Sequence, residues 1–196
     1  MLHGLSHTIA SYFVAKRWLS TSEYDWCVYA VERRLSTCIS FSALLLLSFL
    51  LGFLTQASLF LFCFMLLRRR AGGYHAKTPL RCFLTSAGIL LVALCAAYPA
   101  LLIVAGLSSI LLCVAAAALV LALGAINHPA MAQTKAELDA NRVLARRIAL
   151  ALACALSALA LWPAAAQYAL AGALGLFAAA ASMAVAKMIH QEVKTA

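Results

Sequence analysis

The sequence predicts an all-α, polytopic membrane protein of about six transmembrane helices with both termini on the cytoplasmic side. Three observations carry that prediction. Hydrophobic residues make up 66% of the 196 and charged residues only 11%, against roughly 45–50% apolar in a soluble domain. The apolar residues come in runs, as a bilayer requires at about 20 residues per crossing helix. The net charge of +9 is gathered at the ends of those runs, the pattern of membrane orientation and contact with anionic lipid. Membrane lipids are therefore expected partners. Nucleic acid is not, because no basic stripe interleaved with aromatics lies on a polar segment.

The elements follow in order within one membrane domain, 1–196. Residues 1–36 read as an amphipathic, interfacial segment: Ser20 and Glu23 make an S-x-x-E capping box, and Trp18, Tyr24, Trp26 and Tyr29 are rings that favour the headgroup level. Residues 38–67 are uncharged, long for one span and short for two. Gly52 and Thr55–Gln56 near the middle suggest a hairpin of two helices, short or partly re-entrant; a single tilted helix is the other arrangement. After the basic loop 68–82 come apolar stretches 83–98 and 101–126, turning at Tyr98–Pro99. The polar stretch 127–147 holds a second capping box, Thr134 to Glu137, so a helix starts there and runs on into the membrane. The last spans are 148–163 and 168–187, broken at Trp162–Pro163.

Charge fixes the topology. The turns near 52–56, 97–100 and 163–167 carry no charged residue, whereas every Lys and Arg falls before residue 36, in 68–82, in 127–147 or in the tail. Placing all four basic regions in the cytoplasm requires an even number of spans, hence six over five. Gly106, Gly124, Gly172 and Gly175 in the Ala-rich spans allow close helix packing, within a chain or between two copies as a homodimer.

Loop 68–82, RRRAGGYHAKTPLRC, concentrates the chemistry. Gly72 and Gly73 permit backbone angles that other residues resist, so the helix leaving the membrane breaks there. Thr78 is a good N-cap and Pro79 suits the first helical position, which puts Cys82 in the first turn. The positive end of the helix, with Lys77 and Arg81 beside it, favours the thiolate, the nucleophilic form. His75 precedes Cys82 by seven residues. On a continuous helix that is about 10.5 Å of rise, too far for a hydrogen bond, but a His in a loop can fold back over the helix start. Nucleophile plus base is the minimum equipment for acyl transfer through a covalent intermediate. Zinc at His75 and Cys82 lacks two further ligands. Seven cysteines without a C-x-x-C pair argue against a disulfide framework or zinc ribbon; Cys63, Cys95, Cys113 and Cys154, inside apolar runs, behave as small hydrophobes. Neither metal nor cofactor is expected.

The pattern R-x(3)-G-G-x-H-A with a Cys seven residues after the His, carried by Arg68, Gly72, Gly73, His75, Ala76 and Cys82, resembles the AgrB family, the membrane peptidases of accessory-gene-regulator quorum sensing. The resemblance extends to a helical N-terminal segment with an acidic residue (Glu32) and a basic loop after a Pro near 129. It implies a bacterial cytoplasmic-membrane enzyme whose site faces the cytoplasm. Its partner would be a short amphipathic propeptide (AgrD-like) with an acidic tail. In the implied chemistry, His75 and Cys82 are the catalytic pair, Cys82 forms an acyl-enzyme, and a Cys or Ser within the peptide captures it as a thiolactone or lactone. Arg68, Arg69, Arg70 and Lys77 would receive the acidic tail. Glu32, Glu137, Asp139 and Asn127 are the groups able to orient His75, and the sequence does not choose among them. Two other classes compete: a small transporter or exporter using Arg68–Arg70 as an anion gate, and a non-catalytic membrane scaffold. The transporter predicts charged or broken-helix features deep within spans, and these spans carry no charge.

Overall fold

The computed structural model describes residues 2–74, 76, 78–127 and 134–191, and among them every regular element is helical. The helices are α1 (Leu2–Ala15), α2 (Tyr24–Leu50), α3 (Leu54–Ala71), α4 (Pro79–Leu91), the short α5 (Tyr98–Leu101), α6 (Ala105–Leu123), α7 (Lys135–Ala160) and α8 (Pro163–Met188). Four helical stretches, Thr21–Leu50, Leu80–Leu123, Lys135–Ala160 and Pro163–Met188, are long and apolar enough to cross a membrane. The chain is an all-α polytopic membrane protein. Its packing divides into two compact units, Met1–Leu50 and Leu51–Ala196.

In the first unit α1 packs on α2 around Ala10, Cys27 and Val28, flanked by Phe13, Leu19, Tyr24 and Val31. The Ser20–Glu23 capping pattern forms: the Ser20 N–H donates to Glu23 Oε2 at 3.2 Å and its hydroxyl at 2.6 Å. One 3-10 turn then leads into α2. This helix runs on past residue 36. Tyr24–Leu50 contains neither Gly nor Pro, so the amphipathic stretch and the first apolar run form one helix. The chain then breaks at Leu51–Phe53, around Gly52, and 38–67 is two helices rather than one. Trp18, Trp26 and Tyr29 stay exposed, as interfacial rings should.

The second unit is built around α8. Every residue from Ala169 to Leu176 is buried, which a helix achieves only when neighbours surround it; α3, α6 and α7 all pack against it. Gly175 makes this possible on one side, because a Cβ there would collide with the Phe60 carbonyl of α3. Pro163 sits at the first position of α8, so that helix starts earlier than the apolar pattern suggested.

Contacts at the two ends order the unit. Phe53 meets the Tyr98 ring at 6.2 Å, and Gly106 of α6 lies against the Ala160 carbonyl at the end of α7. At the opposite end Ala71, Ile126 and the Arg142 side chain come together beside Gly124. The α4 path continues through a wide π stretch, Val92–Ala97, and α5, and bends at Leu102–Val104 into α6. The uncharged turns thus gather at one end. Arg68, Arg69, Arg70, Arg81, Arg142, Arg146 and Arg147 gather at the other.

Candidate active site

The site begins where α3 ends. Arg68, Arg69 and Arg70 occupy its last turn, and Gly72 closes it with its N–H on the Arg68 carbonyl at 3.1 Å. Gly72 has φ +75° and Gly73 φ +132°, conformations that L side chains resist. Space forbids a side chain as firmly. A Cβ at Gly72 would lie 2.5 Å from the Ile126 carbonyl oxygen, and one at Gly73 2.6 Å from Ser182 Oγ.

Two neighbours hold this stretch from either side. From the coil after α6, the Ile126 N–H donates to the Ala71 carbonyl at 2.9 Å. From α8, the Ser182 carbonyl accepts the Tyr74 N–H at 3.0 Å. Arg68 ties the pieces together: its guanidinium donates to the Tyr74 carbonyl and to Ser182 Oγ (3.0 Å for the latter), and it lies 5.5 Å from the centre of the Phe64 ring. Arg68 is therefore committed to the fold of the loop. The charges left open near it are Arg69 and Arg70, both exposed, with Arg70 Nη1 reaching Asn141 Oδ1 at 3.4 Å.

Sequence reasoning missed Ser182. It stands in an Ala-rich helix and looks like one more small residue, yet it is the only polar side chain between Tyr168 and Lys187, and that isolation was the available signal. Removing its hydroxyl leaves a half-buried guanidinium short of an acceptor. Ser182→Ala is expected to lower stability by about 1–3 kcal/mol, read as a fall in Tm in detergent. An unchanged Tm would mean the contact bears nothing.

Helix α4 starts as the residues dictate. Thr78 is its N-cap, with Thr78 Oγ1 accepting the Arg81 N–H at 3.3 Å and the Thr78 carbonyl accepting the Cys82 N–H at 3.0 Å. Cys82 stands in the first turn, half-buried. There the positive end of the helix dipole favours negative charge. The other cysteines are placed differently: Cys27, Cys63 and Cys113 are buried, Cys38 and Cys154 are exposed on the long α2 and α7, and Cys95 is exposed in the π stretch. His75 and Lys77 lie outside the described residues.

The four groups able to orient a histidine separate clearly. Glu137 caps α7, accepting the Thr134 N–H at 2.8 Å and the Thr134 hydroxyl at 2.9 Å. Asp139 pairs with Arg142 at 3.1 Å. Glu32 belongs to the first unit, where its carboxylate faces His3 at 3.4 Å. Asn127 alone is buried, 2% exposed, and it follows Ile126, the residue bonded to the start of the loop. No three His, Cys, Asp or Glu side chains converge on a metal position among the described residues.

The family model for accessory gene regulator B matches residues 6–185 of the chain. No curated protein and no solved structure matches it.

Proposed function

The chain belongs to the accessory gene regulator B family, which is associated with quorum-sensing peptide processing, and on that premise we propose that it is a membrane cysteine endopeptidase. Its substrate is a short amphipathic propeptide with an acidic tail. The observation that supports this best is Cys82, half-buried in the first turn of a capped helix that follows a loop held on two sides. Partly exposed positions at helix N-termini are where reactive cysteines occur.

In the proposed reaction His75 takes the Cys82 proton, and the thiolate attacks the carbonyl at the end of the future signal peptide. The C–N bond breaks, His75 returns the proton to the departing amine, and a thioester remains on Cys82. A Cys or Ser inside the peptide then attacks the thioester, which frees Cys82 and closes a thiolactone or lactone ring. Capture by the internal nucleophile competes with water only if the peptide is held bent in a dry site. Arg69, Arg70 and Lys77 receive the acidic tail. Asn127 orients His75, as an amide does in Cys–His–Asn proteases; what supports this choice is its burial and its place next to Ile126, which bonds the start of the loop. The site faces the cytoplasm, on the side where the arginines gather.

The test is co-expression with such a propeptide, comparing wild type with His75→Ala and Asn127→Ala at equal protein level. Tail removal should vanish with His75→Ala. It should fall about 10- to 100-fold with Asn127→Ala, with the acid limb of the pH–rate profile displaced. Normal processing by His75→Ala would remove the peptidase reading and bring the transporter and scaffold classes forward.

A further inference from the structure

Outside the proposed catalytic site, the first unit carries one cluster of metal-ligating side chains. His3 and His7 are one turn apart on the same face of α1. Their Nε2 atoms face each other at 3.1 Å, with the rings at 87° and their centres 4.4 Å apart. Each remote nitrogen has its own partner on the α2 side: His3 Nδ1 lies 3.4 Å from Glu32 Oε2, and His7 Nδ1 2.9 Å from Tyr24 Oη. Tyr24 Oη in turn meets Ser11 Oγ at 3.2 Å.

The chemistry of these groups restricts what the pair can hold. An ionised carboxylate only accepts, so His3 Nδ1–H donates to Glu32 and His3 Nε2 is left with its lone pair aimed at His7. A hydrogen or a metal ion then bridges the two Nε2 atoms. Without metal it is the hydrogen of His7 Nε2–H, donated to His3 Nε2; with metal, both nitrogens turn their lone pairs to the ion. Two imidazole nitrogens at about 2.0–2.1 Å from a tetrahedral metal are themselves about 3.3 Å apart, a few tenths of an ångström from the spacing here. A histidine that donates its far N–H to a carboxylate is the usual outer support of a metal ligand, and Glu32 stands in that place.

We propose that His3 and His7 bind a divalent transition-metal ion through their Nε2 atoms, with Glu32 and Tyr24 orienting the rings. Imidazole suits zinc, copper and nickel. The protein supplies two ligands, since no third His, Cys, Asp or Glu converges among the described residues, and water fills the remaining positions. His3 is exposed, so the ion enters from solvent. The proton between neutral rings is not lost on binding: it leaves His7 Nε2 for His7 Nδ1, which then donates to Tyr24 Oη, while the Tyr24 hydroxyl turns to Ser11. The carboxylate and phenol that support the pair are 29 and 17 residues away in the chain, so no local spacing marks it as a metal site.

The test is equilibrium dialysis of the full chain in detergent against Ni2+, with the protein purified without a histidine tag. Wild type should bind one ion per chain. His3→Gln and His7→Gln, exposed or half-buried substitutions that keep a polar side chain, should each weaken binding at least 10-fold at unchanged Tm. Glu32→Gln should weaken it about 10- to 100-fold. Absence of nickel binding by wild type, or undiminished binding by either histidine variant, would overturn the proposal.

Discussion

Cys82→Ala is expected to lower tail cleavage about 10^3-fold or more while leaving Tm within about 1 °C of wild type. The size of the loss follows from covalent catalysis: without the sulfur no acyl-enzyme forms, and residual rate comes only from binding. The small effect on Tm follows from the position. Cys82 is half-buried, and its structural contribution to α4 is a backbone N–H on the Thr78 carbonyl, which alanine keeps. Alanine is also the better helix former. Cys82→Ser should remain nearly as inactive, because a hydroxyl is far less acidic than a thiol and the site is arranged for a thiolate. Cleavage rates and thermal melts on the same detergent preparations check all three statements. Cleavage retained by Cys82→Ala would move the nucleophile elsewhere.

Gly73→Val should abolish cleavage without altering His75 or Cys82. Two costs act together at this position. The backbone stands at φ +132°, where a β-branched residue is strained by about 1–3 kcal/mol. The added atoms would also drive into Ser182 Oγ, 2.6 Å from the Cβ position, and Arg68 Nη1, 3.1 Å from it, and overpacking of that kind costs a further 1–3 kcal/mol, roughly. The cheapest relief is for the loop to leave α8, breaking the Tyr74–Ser182 hydrogen bond and the Arg68 contacts with it. That displaces the chain on the way to His75, and misplacement by about 1 Å can cost 10^2-fold in rate. A fall in Tm together with loss of cleavage is the expected result. Gly88→Val supplies the control, since a Cβ at Gly88 meets nothing within 4 Å; its cleavage should stay near wild type. Equal loss in both variants would show that the effect is not local to the loop.

Much of this was legible in the sequence because the governing rules are local. Thr78 before Pro79 starts a helix and Thr134 before Glu137 caps one, wherever the rest of the chain goes. The breaks near Gly52 and Gly72–Gly73 and the clustering of arginines at one end are legible for the same reason. What escaped depends on contacts across the chain. Nothing local says that Ser182, 114 residues from Arg68, shares a hydrogen bond with it. Nor does sequence tell an arginine that builds the loop from one that meets the peptide. Arg68, Arg69 and Arg70 are chemically alike, and only the packing of α3 on α8 turns the first inward. The continuity of α2 across residue 36 follows from a different rule. A change from polar to apolar residues marks the membrane surface, and a helix without Gly or Pro passes through that surface without ending.

The central claim is that Cys82 carries the peptide as a thioester. The direct measurement is the intact mass of the protein after incubation with a propeptide whose internal Cys or Ser is replaced by alanine, so that no ring can form and the acyl-enzyme accumulates. Wild type should gain the mass of the tail-less peptide, on Cys82, with the adduct released by hydroxylamine and absent from Cys82→Ala. Cleavage of the tail with no adduct, or with the adduct on another of the seven cysteines, would contradict the mechanism.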